Sequence, residues 1–188
     1  MRRVLRMGLV AVTVAVVCAP VQASAKSYIN PWTGLIFGRD QAPAGFKSFG
    51  ASFGDAGGTF WGTETNIGLT PAFFGNGVEN YVMEIMGGIT LGPSWDAVRK
   101  NIRPYAALNV GIIRSSIDSK GVGVQKFARN DLGVSIGGGL TIDLNDRLGL
   151  QGDLRSFRGL NSEPAVNELK ANLGNLHYWR AAIGIFLH

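Results

Sequence analysis

The stretch VSIGGGLTIDLNDRLGLQGDLRSF, Val134 to Phe157, changes polarity at every second residue on both sides of a short polar break. Val134, Ile136, Leu140, Ile142 and Leu144 are apolar, and Ser135, Gly137, Gly139, Thr141 and Asp143 lie between them. After Asn145-Asp146 the alternation resumes, with Leu148, Leu150 and Leu154 set against Gln151, Asp153 and Arg155. A two-residue period puts successive side chains on opposite faces of a strand, and two such strands around Asn-Asp make a hairpin. A slip of one residue would exchange the faces, so the pattern also fixes the register. The open question is which face looks outward.

The same period recurs along the chain. Eight segments read as strands: Trp32 to Arg39, Gly45 to Phe53, Phe60 to Thr70, Asn80 to Leu91, Arg103 to Ser115, Asp131 to Leu144, Arg147 to Phe157 and Leu176 to Leu187. Several are longer than the ~5–6 residues usual in globular strands and match the ~9–11 that cross a bilayer at a tilt. No segment carries a helical apolar stripe. SWDAVRKN (Ser94 to Asn101) is read as a connector with one helical turn, and NSEPAVNELKANLGN (Asn161 to Asn175) as a polar loop with a short helix after Pro164. GDAGG (Gly54 to Gly58) and Asn145-Asp146 are tight turns, whereas Ser116 to Asn130 and Gly159 to Asn175 are long connections at the opposite end. Transmembrane barrels keep their short turns on the periplasmic side and their long loops outside.

The first 25 residues read as a cleaved leader. Arg2, Arg3 and Arg6 precede the apolar run Met7 to Val17, and Ala23-Ser24-Ala25 is an A-x-A cleavage site. Cys18 leaves with it, so the mature barrel domain, 26–188, has no cysteine and needs no disulfide. The leader also carries most of the basic excess. Without its three arginines, 15 Lys and Arg face 13 Asp and Glu, which removes the case for nucleic acid as a partner. Only 16% of the chain is charged and 27 residues are glycine. After the leader no apolar run reaches the ~18 residues of a spanning helix.

Sorting the segments by parity separates two faces. One holds Trp61, Ile67 and Leu69, then Tyr81, Ile85 and Ile89, then Leu108, Val110 and Ile112. It continues through Ile136, Leu140, Ile142 and Leu150 to Ile183 and Ile185, with no charge except near strand ends. The other face holds Glu64, Glu84, Asp143, Asp153, Arg155 and Arg180 among many glycines. A soluble barrel would bury the first face, and an outer-membrane barrel would bury the second. Glycine weakens an exposed strand without packing anything, but inside a narrow barrel it leaves room for the few long side chains. Aromatics near strand ends, Trp61, Phe73, Phe74, Tyr81, Tyr178, Trp179 and Phe186, fit interfacial girdles. The membrane assignment is therefore favoured. It makes Ile136, Leu140, Ile142, Leu150, Ile183 and Ile185 lipid-facing, and the six charged residues a plug in the lumen.

Three stretches carry a family resemblance: IRPYAALNVGII (Ile102 to Ile113), LGVSIGGGLTIDLNDRLGLQGDLRSF (Leu132 to Phe157) and the closing HYWRAAIGIFLH (His177 to His188). The chain resembles the small outer-membrane barrel family of OmpA/OmpX-type and opacity-type domains. The resemblance implies an all-β fold, an eight-stranded antiparallel up-and-down transmembrane barrel. It also implies a location in the outer membrane, contact with its lipid and lipopolysaccharide, insertion by the barrel-assembly machinery, and a monomer. Such barrels often end on an aromatic; here Leu187 and His188 follow Phe186.

The chemistry of a catalyst is hard to find. Lipid A deacylases of similar architecture use a His-x-Ser element, and nucleophilic catalysis needs hydroxyl and imidazole together. Neither His177 nor His188 has a serine close in sequence, and no serine sits in a G-x-S-x-G setting. The glycine runs lack the strand-to-helix context of a phosphate loop, and no Cys/His/acid cluster has metal spacing. The expectation is a non-catalytic envelope barrel without cofactor or metal. A small ion or solute channel, a lipid A-modifying enzyme and a secreted soluble ligand-binding barrel remain open. The orientation is testable at single residues: Ile136→Arg should block membrane insertion far more than Ser135→Arg, read by membrane fractionation. Equal behaviour would reject the membrane assignment.

Overall fold

The computed structural model describes residues 27–38, 45–55, 60–75, 79–93, 102–118, 127–145, 147–160 and 176–187. They form eight strands: β1 (Ser27–Phe37), β2 (Phe46–Asp55), β3 (Trp61–Pro71), β4 (Glu79–Leu91), β5 (Ile102–Asp118), β6 (Phe127–Asp143), β7 (Leu148–Gly159) and β8 (His177–Leu187). Each pairs antiparallel with the next, and β8 returns to β1 to close a barrel. Closure leaves no open sheet edge, which a lipid environment requires. No helix among the described residues is long and apolar enough to cross a membrane. The segments read from sequence as a leader (1–25), a connector (Ser94 to Asn101) and a polar loop (Asn161 to Asn175) lie outside the described residues.

The register sets the girth of the barrel. From Ser27 the partners run through Asp55, Thr63, Ile89, Leu108, Ile136, Ser156 and Trp179, and return to β1 at Phe37, ten residues further on. With ~3.3 Å per residue and ~4.8 Å between strands, that stagger tilts the strands by about 40°. The 11 residues of β1 then climb about 28 Å along the axis, close to the apolar band of a membrane barrel.

Strand limits differ from the sequence reading by more than two residues in two places. β1 begins at Ser27 rather than Trp32, although Pro31 would argue against it. The proline is accommodated because the β1–β8 ladder skips Asn30 and Pro31 while β2 pairs both. The β5–β6 hairpin also extends into what reads as loop, pairing Ser116 with Ala128 and Ile117 with Phe127.

Alternation decides the faces. Ile136 is 64% exposed and Ile183 60%, and Leu140, Ile142, Leu150 and Ile185 share the outer surface with them. Their in-between neighbours point inward and are buried or partly buried. Ser135 is one of these, and its hydroxyl accepts a 3.3 Å hydrogen bond from Asn109 Nδ2. Arginine there would have to enter a filled interior, so Ser135→Ala is the sharper inward control for Ile136→Arg.

The aromatic girdle is corrected. Trp61 is exposed and Tyr81 and Trp179 half-exposed, but Phe73, Tyr178 and Phe186 are buried inside. Tyr178 and Phe186 share the parity of Arg180, which decides their direction. Phe73 is folded inward by the β3–β4 turn. There Ala72 adopts φ 52°, and Asn80 accepts from Phe74 N (2.7 Å) and donates to the Gly75 carbonyl (2.8 Å).

Large inward side chains stand across from glycine: Trp32 from Gly50 and Gly184, Glu84 from Gly68, and Arg155 from Gly137. A Cβ on Gly137 would lie 2.2 Å from the Leu154 carbonyl oxygen and 2.8 Å from Arg155 Cγ, whereas one on Gly152 meets nothing within 4 Å. Gly137→Ala should therefore destabilise the barrel by about 1–3 kcal/mol. Gly152→Ala should be neutral or stabilise it by about 0.4–1 kcal/mol. Urea unfolding of the vesicle-folded protein, followed by heat-modifiable gel mobility, measures both.

Candidate functional site: the closed lumen

β1 serves as a ruler for the interior, because four of its inward residues mark successive levels. At the end carrying the chain termini, Tyr28 stacks on Phe186 with ring centroids 4.5 Å apart. Next, Asn30 Nδ2 donates to Gln151 Oε1. Trp32 lies higher, its ring 3.9 Å from the Arg180 guanidinium. Ile36 ends the series in an apolar cluster with Phe73, Val82, Met86, Ile113, Phe157, Leu176 and Tyr178.

The lower polar level is one connected chain across the barrel. Gln151 Nε2 donates to Tyr105 Oη, which donates to Asp153 Oδ2 at 3.2 Å. Arg155 Nε donates to the same Asp153 oxygen at 2.5 Å. Its Nη1 pairs with Glu64 Oε1 and its Nη2 with Glu64 Oε2 at 2.9 Å. Tyr28 Oη completes the Glu64 carboxylate at 3.4 Å. A buried carboxylate is tolerable only when its charge is matched and its oxygens accept hydrogen bonds, and the forked guanidinium does both for Glu64.

The upper level is a second ion pair. Arg180 Nη1 binds Glu84 Oε1 and reaches Asn66 Oδ1 at 3.3 Å, while Tyr178 Oη donates to Glu84 Oε2 at 2.5 Å. Asn66 passes the contact to Ser52 Oγ at 2.7 Å. The Arg180 guanidinium also faces Phe157, whose ring stacks on Tyr178 at 4.9 Å. Arg155, Arg180, Glu64 and Glu84 are all at least 98% buried.

Of the six charged residues assigned to the lumen from sequence, Glu64, Asp153 and Arg155 thus share one centre, and Glu84 and Arg180 form the other. Asp143 stands apart. It pairs with Gly149 at the terminus end of β6 and lies in the field of Arg103, outside both centres. Sequence reasoning missed the hydrogen-bonding partners Tyr28, Asn30 and Tyr105 and the Trp32 ring against Arg180. Tyr28 and Asn30 precede the first strand as read from sequence, and the company of all four depends on the ten-residue stagger.

It also missed a contact on the outer face. His177 has no serine near it in sequence, yet Ser156 Oγ lies 3.2 Å from His177 Nε2 across the β7–β8 ladder. Among the described residues that hydroxyl is the hydrogen-bonding partner of the imidazole, and no carboxylate pairs with it. No group of three metal-ligating side chains occurs among the described residues either.

Comparison with solved structures places this architecture. Neisserial surface protein A, NspA, superposes with TM-score 0.66 at 13% identity, over 86% of this chain and 96% of that one. The N-terminal barrel domain of OprF from Pseudomonas aeruginosa gives 0.53 at 14%, over 86% and 95%. Ail, the attachment invasion locus protein of Yersinia pestis, gives 0.52 at 12%, over 86% and 97%. No protein-family model matches the chain, and no curated protein sequence does. The fold is that of the small eight-stranded outer-membrane barrels.

Removing one member of a buried ion pair strands the other. Arg155→Ala should cost about 3–5 kcal/mol in urea unfolding, because it leaves Glu64 and Asp153 uncompensated. The Arg155→Ala/Glu64→Ala double variant should cost clearly less than the sum of the two single changes.

Proposed function

We propose that this chain is an outer-membrane barrel with a structural or surface-interaction role, and that its lumen is closed to ions and solutes. The observation that carries the reading is the inversion of polarity. Exposed isoleucines and leucines cover the outside, while ion-paired charges sit at the centre of the interior. A soluble barrel of this composition would place its apolar side chains in the core and leave its charges wet.

The closed lumen argues against a pore. A permeating ion would have to displace the Phe73, Phe157 and Tyr178 cap, the Arg180–Glu84 pair, the Arg155–Glu64–Asp153 centre and the Tyr28–Phe186 stack in turn. The non-catalytic part of the reading follows from the interior, whose charged side chains are engaged with one another in ion pairs. The extended β5–β6 hairpin is the described part of the surface available to partners. Outer-membrane lipid, lipopolysaccharide and the barrel-assembly machinery are the partners this location supplies.

Membrane fractionation with heat-modifiable gel mobility tests the location; recovery of the folded protein in the soluble fraction would refute it. In planar bilayers the purified protein should show no appreciable steady conductance, and Arg155→Ala should raise conductance if removing one charge opens a latent path. Steady conductance of the unaltered protein would favour the channel reading instead.

A further inference from the structure

We propose that the outer face of β7 and β8, at the loop end of the apolar belt, is a docking site for a lipid-borne phosphate, built from Arg158, His177 and Ser156. The inference rests on the outer-membrane reading. Outward residues of β7 run Leu150, Leu154, Ser156, Arg158, and those of β8 run Ile185, Ile183, Ala181, Trp179, His177. On both strands the apolar series stops at the same level and gives way to hydrogen-bond donors. An indole at Trp179 marks the boundary, as aromatic rings do where hydrocarbon meets head groups.

Arg158 and His177 are direct cross-strand partners and both are exposed. Two side chains able to carry positive charge normally disfavour that placement, because cross-strand neighbours are only ~4.5–5.5 Å apart at Cβ. An anion between them reverses the sign. Arg155, Arg180 and Arg129 each hold a carboxylate, whereas Arg114 and Arg147 hold none among the described residues. Arg158 faces outward with no carboxylate partner among the described residues. The Ser156 hydroxyl at 3.2 Å holds His177 by Nε2, which leaves Nδ1 as the ring nitrogen free to turn toward a ligand. Guanidinium, imidazole and the rim position together match a tetrahedral phosphate whose acyl chains continue down the belt past Leu154 and Ile183.

The test uses the full barrel folded in dodecylmaltoside micelles, with native mass spectrometry reading bound lipid. Titrants are diphosphorylated lipid A, its dephosphorylated form and inorganic phosphate. The unaltered protein should bind the phosphorylated lipid at least about tenfold tighter than the dephosphorylated one. Arg158→Ala should abolish that preference, Arg158→Lys should keep part of it, and Arg114→Ala, which removes a rim charge from β5, should leave it intact. A folded barrel with equal affinity for both lipids overturns the site alone. So does an equal loss from Arg114→Ala, which would mean diffuse attraction, or full competition by inorganic phosphate, which would mean a site for the free ion. A chain that yields no heat-modifiable form in micelles overturns the membrane reading and the site with it.

Discussion

Everything inside this barrel depends on the need to bury charge without leaving it unmatched. Arg155 and Arg180 are each almost wholly inaccessible, and such an ion is costly unless its partner and its hydrogen bonds are already in place. That need links distant parts of the chain. Arg155 on β7 must reach Glu64 on β3, and Arg180 on β8 must reach Glu84 on β4, so each pair spans the interior rather than a neighbouring strand. The glycines opposite Arg155 and Glu84 are the other half of the arrangement, since side chains there would occupy the same space. Room and charge are thus set by the same cross-strand register.

The outside follows a different logic. There each residue needs only to be apolar, and few specific contacts are required, so the belt tolerates Ile, Leu, Val and Phe interchangeably. The lumen is a layered solid: an aromatic stack, a polar chain, a cation held over rings, and an apolar cap. Those layers alternate polar and apolar contacts along the axis.

The faces were legible from sequence because a strand's period is two and does not drift. Parity alone sends Ile136 outward and Ser135 inward, and it also sends Tyr178 and Phe186 inward, where proximity to a strand end had suggested the girdle. Partnerships were not legible, because they depend on the stagger summed around the ring. Nothing local in SFRG or NLHYW says that Ser156 will meet His177, and nothing in TETN says that Glu64 will meet Arg155. Asp143 shows the limit most clearly. It has the parity of the lumen charges but sits in the last pair of its β7 ladder, six residues along β6 from the Gly137 that faces Arg155. β1 starts five residues before the Trp32 read from sequence, because its pairing with β2 runs unbroken through Pro31 to Ser27.

Pro31 also makes one ladder unlike the others. The seam between β1 and β8 joins the two ends of the described chain, so it encloses the longest loop and is the last contact a folding chain can complete. It is also where the run of backbone partners is interrupted. Asn30 bridges part of that gap from within, through its amide hydrogen bond to Gln151 on the far side of β8. Alone among the eight ladders, the closing seam therefore carries a break in its backbone pairing, and the side chains behind it span that break from the lumen.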